Sequence, residues 1–162
     1  MKITSVQAVP MSYRVPEGQN VTLGIGRAIK RDAVLVKVET DEGIIGWGEA
    51  HHGRCPGAIA KLIDTTMSEL VVGMDALDVV SVWAKVYRMQ LASHGMGAAA
   101  SMALSGIDIA LWDIRGKAAG LPLHRLLGGS VKPIKAYAGG ISLGFQDPHL
   151  VAEEALSYVQ LG

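Results

Sequence analysis

The sequence predicts an α+β fold, with a small antiparallel sheet first and a set of helices after it. Three patterns carry that prediction. Val34, Val36 and Val38 alternate with Leu35, Lys37 and Glu39, the period of a half-buried strand, and a Thr40–Gly43 turn returns the chain as a partner strand over 44–50. After Pro56, apolar residues recur at three- and four-residue steps. Beyond Gly129, the order is one strand-like stretch and one helix, with no second strand.

The elements follow in chain order. Residues 2–13 read as a strand carrying Ile3, Val6, Val9 and Met11, with Pro10 suited to an edge. Residues 14–30, punctuated by Pro16, Gly18, Gly24 and Gly26, read as one long loop, a class of segment usually tied to function. The turn between the next two strands places Gly43 where a positive φ is needed. Ile59, Leu62, Ile63, Met67 and Leu70 form the stripe of a first helix, which Gly73 ends. Asp75 or Asp78 caps a second, bearing Val79, Val82, Trp83, Val86 and Tyr87, whose large side chains read as core or interface. The third helix, 97–118, is rich in alanine, serine and glycine, which permits close backbone approach by a neighbour. Gly120 and Pro122 stop it, and Pro122 opens a short helix over 123–127. Finally, 131–138 reads as a strand, 139–146 as a loop, and 147–161 as a helix with Asp147 as N-cap, Pro148 in the first turn, and an apolar stripe of Val151, Ala155, Tyr158 and Val159. A strand and helix alone cannot cover both faces of a parallel strand, so the chain reads as part of something larger.

Composition excludes several functions. The chain has 162 residues with 15 basic and 15 acidic side chains, which excludes nucleic-acid binding by bulk charge. With 49% hydrophobic and 19% charged residues, it is too apolar for disorder. Cys55 is the one cysteine, so no internal disulfide forms and a reducing compartment is indicated. No apolar run is long enough to cross a membrane, and MKITSVQAVP lacks a secretory core and cleavage site; the expected location is the cytoplasm. The length is also too short for a complete (β/α)8 barrel of about 250 residues.

The short motifs are mostly bland. Gly24-Ile-Gly26 begins a dinucleotide fingerprint, but it lacks the third glycine and a parallel βαβ setting. Gly140-Ile-Ser142-Leu-Gly144 has nucleophile-elbow spacing after a strand, yet the expected helix starts only at Asp147 and no acid-then-histidine order follows. A glycine-rich loop is the preferred reading, with a serine hydrolase using Ser142 as the minor alternative. His51 and His52 follow the 44–50 strand; on an extended chain, neighbours point to opposite faces, so only one would face a given site. Cys55 and scattered histidines do not make a zinc site. Arg14, Arg27, Lys30 and Arg31 make the long loop locally basic, a solvated face or a lure for a small anion. Asp113 and Lys117, four apart on the third helix, can pair for a few tenths of a kcal/mol, about 0.3. Asp108 reads as a packing acid.

The stretch Ala103-Leu-Ser-Gly-Ile-Asp108-Ile-Ala-Leu-Trp-Asp113-Ile-Arg-Gly-Lys117, continuing through Pro122 to Leu126-Leu127-Gly128, resembles the signature of the mandelate racemase/muconate lactonizing enzyme group of the enolase superfamily. Gly43-Ile-Ile-Gly-Trp-Gly-Glu49 resembles that group's second hairpin strand, and Met1-Lys-Ile-Thr its opening. The resemblance implies an α+β capping domain over 1–130, a three-stranded antiparallel sheet followed by a helical bundle. It implies that 131–162 is the first strand and helix of a (β/α)7β TIM-like barrel whose remainder is absent.

It further implies a Mg²⁺-dependent enzyme that removes the proton α to a carboxylate, a dehydratase, racemase or cycloisomerase on a hydroxy or sugar acid. The metal, its three carboxylate ligands, the lysine pair and the later base belong to barrel strands past Gly162. No catalytic or metal residue is therefore expected in this chain, and the 162 residues alone should bind no Mg²⁺ tightly and turn nothing over. The cap loops, here about 14–30 and 51–56, would shape the site, making Arg14, Arg27, His51 and His52 candidate contacts to a small carboxylate substrate. The group's caps imply a homo-oligomer. The competing reading from the residues is a non-enzymatic α+β fragment covered by another chain, distinguished by whether the reading frame continues past Gly162.

Overall fold

The computed structural model describes residues 1–18, 20–24, 26–93, 95–139 and 144–161. Its elements are strands β1 (Ile3–Arg14), β2 (Val21–Leu23), β3 (Gly26–Ala28), β4 (Lys30–Thr40) and β5 (Ile45–Ala50). Helices α1 (Pro56–Leu62), α2 (Ser68–Val71), α3 (Val79–Ser93), α4 (Ala98–Ala119), α5 (Leu123–Leu126) and α6 (Pro148–Leu161) follow, with a π-helical turn, Ile63–Met67, joining α1 to α2. The chain forms two compact units. One holds Met1–Ser12 with Asp32–Ser130; the other holds Tyr13–Arg31 with the segment from Val131 onward.

The first unit is built on a three-stranded sheet of order β1-β4-β5. β4 and β5 are antiparallel, with Val34 opposite Ala50, Val36 opposite Gly48, and Val38 opposite Gly46. The three valines are fully buried, as their alternation requires. Gly43 turns the hairpin at φ +79°. The glycines across from the valines explain the seat of α4. A Cβ at Gly46 would lie 2.1 Å from the Ala110 carbonyl oxygen, and one at Gly48 would lie 2.1 Å from that of Gly106. A Cβ at Gly106 would in turn lie 2.6 Å from Val36. The small residues of α4 thus let its backbone lie directly on β5, as their composition predicts.

Around this seat, Ile107, Ala110, Leu111 and Ile114 of α4 pack with Ile59, Ile63, Met67 and Val71 of the α1–α2 segment and Val79, Val82 and Val86 of α3 in one core. Asp78 caps α3, its Oδ1 accepting from the Ser81 amide at 3.1 Å. Gly120, in the left-handed conformation at φ +63°, ends α4, and the Leu121 amide donates to the Gly116 carbonyl at 3.0 Å. The single helix expected after Pro56 carries a π turn. There, Asp64 points its carboxylate at β1 and accepts from the Ala8 amide at 2.7 Å.

Both outer strands are closed by side chains. On β5, Asp113 Oδ2 accepts from the Trp47 amide at 2.9 Å, and Lys117 Nζ donates to the Ile45 carbonyl at 2.7 Å. Lys117 also donates to Asp113 at 2.6 Å. The pair expected from spacing is present, but it also straps helix to strand, which makes it worth more than an isolated surface pair.

The second unit departs from the expectation of an unbroken loop over 14–30. β1 runs to Arg14, and β2 and β3 form an antiparallel ribbon with Val21 opposite Ala28 and Thr22 opposite Arg27. The Val15 amide donates to the Ile29 carbonyl at 3.0 Å, so the ends of the segment are held together. Three-residue strands leave too short an alternation to be seen against glycines and prolines, so the ribbon emerges only from pairing. Residues 13–31 group with the segment from Val131 onward. The strand expected over 131–138 is not formed. None of these residues is in a ladder and all are exposed, because a strand needs a hydrogen-bonded neighbour and none of the described residues supplies one. α6 forms as expected, with Asp147 Oδ1 accepting from the His149 amide at 2.8 Å, but its apolar stripe has no buried residue. Gly162, the expected C-cap, lies outside the described residues.

Candidate functional site

The structure brings Arg14 and Arg27 together. With Val15, Glu17, Asn20 and Ile29 they line one hollow of about 240 Å³ in the ribbon unit. Ribbon pairing places Arg27 opposite Thr22, and the bond from Val15 to Ile29 brings the end of β1 alongside. Asn20 organises the cationic wall. With its amide group oriented to donate to the Ala28 carbonyl at 3.2 Å, its oxygen accepts from Arg27 Nη2 at 3.1 Å. Among the described residues, neither guanidinium is in an ion pair, not even with Glu17 in the same hollow. Two cations and one carboxylate therefore leave the hollow net positive, suited to an anionic small molecule. Asn20 escapes sequence reasoning because its role depends on a ribbon register that the local pattern does not reveal.

His51 and His52 form a second cluster, in the sheet-and-helix unit. Their rings stack at 4.6 Å between centroids and 18° between planes. The expectation that they diverge to opposite faces is overturned. β5 ends at Ala50, and the chain then turns through Gly53 at φ +55° and Arg54 at φ +62°, so the alternation of an extended strand no longer applies. His51 Nδ1 accepts from the Gly53 amide at 3.0 Å, and His52 Nδ1 accepts from the Arg54 amide at 2.9 Å. A neutral imidazole whose Nδ1 accepts an amide proton carries its own proton on Nε2, which leaves each ring one N–H donor. The Cys55 amide closes the turn by donating to the His52 carbonyl at 2.9 Å, and the Cys55 thiol is free and exposed.

Other candidates carry less chemistry. Ser142 and most of its motif lie outside the described residues, and the elbow's strand-turn-helix setting is missing: 131–138 is no strand and α6 begins only at Pro148. Gly24 and Gly26 flank the β2–β3 connection and open no helix. Asp108 lies in an apolar hollow with Val79, Val80, Trp83 and Trp112, and burial pushes its carboxyl above the usual range. Trp83 stacks on Tyr87 at 4.9 Å, and Arg115 sits 4.9 Å over the Trp112 ring. Among the described residues, no three His, Cys, Asp or Glu side chains group together as a metal site built wholly from protein would need. No helix of the described residues is long and apolar enough to cross a membrane.

Comparison with known proteins places this fold among the amino-terminal parts of enolase-superfamily proteins. A solved member of that superfamily from Polaromonas sp. JS666 is 58% identical and matches with a TM-score of 0.92, covering 99% of this chain and 42% of that one. Residues 6–128 match the family described as "Mandelate racemase / muconate lactonizing enzyme, N-terminal domain", and the chain belongs to that family. Its relatives include a D-galactonate dehydratase from Pectobacterium atrosepticum, 41% identical over 65% of this chain and 27% of that protein. They also include an arabinonate dehydratase from Saccharolobus solfataricus, 33% identical over 81% of this chain and 35% of that protein. The chain thus spans about a third of the length of such relatives.

Proposed function

We propose that this chain is the substrate-capping part of an enzyme that abstracts the α-proton of a hydroxy acid, and that the reaction is dehydration of a sugar acid. The observation that carries the reading is the net-positive Arg14/Arg27 hollow, set in a chain whose relatives are named as sugar-acid dehydratases. In such a reaction, the proton leaves C2, hydroxide leaves C3 as water, and the enol becomes a 2-oxo-3-deoxy acid. The expensive species is the enediolate, and Mg²⁺ held by residues beyond these 162 would supply the charge that stabilises it. The proposed domains are a cap over 1–130 and the first barrel strand and helix over 131–162, the strand forming only beside its neighbours.

This chain's residues have three roles in the reading. Arg14 and Arg27 attract and orient the acid. The Nε2–H groups of His51 and His52 donate to substrate oxygens. The ribbon and the 51–55 turn exclude water and set which substrate fits. The 162 residues alone are inactive. The whole protein is cytoplasmic and self-associates, a reading that the exposed Val80 and Trp83 support.

The test is to express the complete reading frame containing this chain and assay a panel of aldonic acids in deuterated water. The reading expects 2-oxo-3-deoxy acid formation or C2 deuterium uptake, and neither from residues 1–162 alone. Absence of both from the complete protein on every acid overturns it.

A further inference from the structure

We infer that a hollow between α3 and α4, which the proposed reaction does not use, binds a small alkylated ammonium ion. Val79, Val80 and Trp83 of α3 and Asp108 and Trp112 of α4 line a space of about 260 Å³. Local sequence builds both walls. Asp108 and Trp112, one helical turn apart, share a face of α4, and the other three stand at the start of α3. Only Asp108 breaks the apolar lining. It is half-buried, and among the described residues it accepts no hydrogen bond and joins no ion pair. Burial with no partner disfavours its charge, which a cation entering the hollow would restore.

The walls select the kind of cation. Indole faces carry negative potential and attract positive charge. Trp112 already holds the Arg115 guanidinium 4.9 Å from its ring centre, which shows this indole acting as a cation platform. Trp83 lies stacked on Tyr87 at 4.9 Å, so its ring is set before a ligand arrives and less freedom is lost on binding. A bare metal ion would need several oxygen ligands, and the hollow offers one carboxylate. A guanidinium or primary ammonium brings more N–H donors than that carboxylate can satisfy. Alkyl groups on the nitrogen remove this cost. They pack against Val79, Val80 and the two rings while the charge meets Asp108.

The probe is choline, set against its neutral isostere, in which a quaternary carbon replaces the nitrogen. Each is titrated into the 162-residue chain while the indole N–H resonances are followed, with Trp47 in β5 as the internal control. The protein is kept dilute enough to be monomeric by light scattering, because Val80 and Trp83 also lie on the face proposed for self-association. Choline should move the Trp83 and Trp112 resonances saturably and leave Trp47 in place. Its Kd should be at least about tenfold below that of the isostere. Asp108→Asn should weaken choline binding by about tenfold and leave the isostere unaffected. A thermal melt of that variant, no lower than the parent's at neutral pH, separates this loss from unfolding. Trp83→Leu, at an exposed position, should weaken choline as well. Equal affinity for the two probes, no saturable shift with choline, or an Asp108→Asn chain that binds choline as tightly as the parent overturns the inference. None of these results bears on the aldonic-acid assay, which tests the capping reading by itself.

Discussion

At Gly48, an added methyl carbon would sit 2.1 Å from a backbone oxygen of α4, and neither backbone can yield without unseating the helix. Gly48→Ala should therefore cost about 3 kcal/mol or prevent folding, seen as a lowered urea midpoint. Gly57, in α1 with open space around its Cβ position, is the control. Gly57→Ala should raise stability by about 0.5 kcal/mol. Two carboxylates should respond to pH with opposite signs. Ser81, through its side chain and then its amide, holds Asp78 below the usual range, so its contribution is present above the ordinary carboxylate pKa and is lost as pH falls through its folded value. Burial holds Asp108 above that range, so the native state keeps its proton longer, and stability falls as pH rises from the ordinary value through the folded one. In thermal melts, Asp78→Ala should be most destabilising at neutral pH and less so in acid. Asp108→Asn should be stabilising at neutral pH, with the gain fading in acid.

Among the elements, the α4–β5 strap joins fold to sequence most directly. Spacing alone identifies Asp113 and Lys117 as an i,i+4 pair, but not that their shared oxygen and nitrogen also satisfy Trp47 and Ile45. Asp113→Ala removes an acceptor from an outer-strand amide as well as the ion pair, and should cost roughly 1–2 kcal/mol by urea denaturation. A double-mutant cycle with Lys117→Met should give a coupling energy above the roughly 0.5 kcal/mol of an exposed helical pair. The helices were the most legible elements, because capping and stripe are local: Asp78, Gly120 and Asp147 act where their residue types place them. The β2–β3 ribbon and the π turn at Asp64 were not legible, since each is defined by a partner distant in sequence or by a side chain reaching another element.

For the molecule as a whole, the core is made by residues up to Ile114, and none of the described residues of 131–161 is buried. Ending the chain after Ser130 should leave the urea midpoint nearly unchanged, and hydrogen exchange in the intact 162 residues should show slow amides confined to the sheet and to α3 and α4. A large fall in the midpoint on truncation would mean that the carboxyl-terminal segment supports the core after all. The candidate site divides the same way. That His51 and His52 follow the last strand of the hairpin is legible from position alone, whereas Arg14 and Arg27, read as loop residues, end β1 and lie in β3. That the arginines share one hollow with Asn20, and that the histidines stack, is not legible from position. By itself the sequence determined the α+β class, the β4–β5 hairpin with its buried valines, the helix ends and the family, because periodicity, capping and motif are properties of neighbours along the chain. The tertiary structure alone decided which glycines seat α4, which side chains close the outer strands, how the 14–30 segment pairs, and that 131–138 stays unpaired. Each of these depends on a hydrogen bond or a close contact between residues far apart in sequence, and such contacts leave no periodic trace to read.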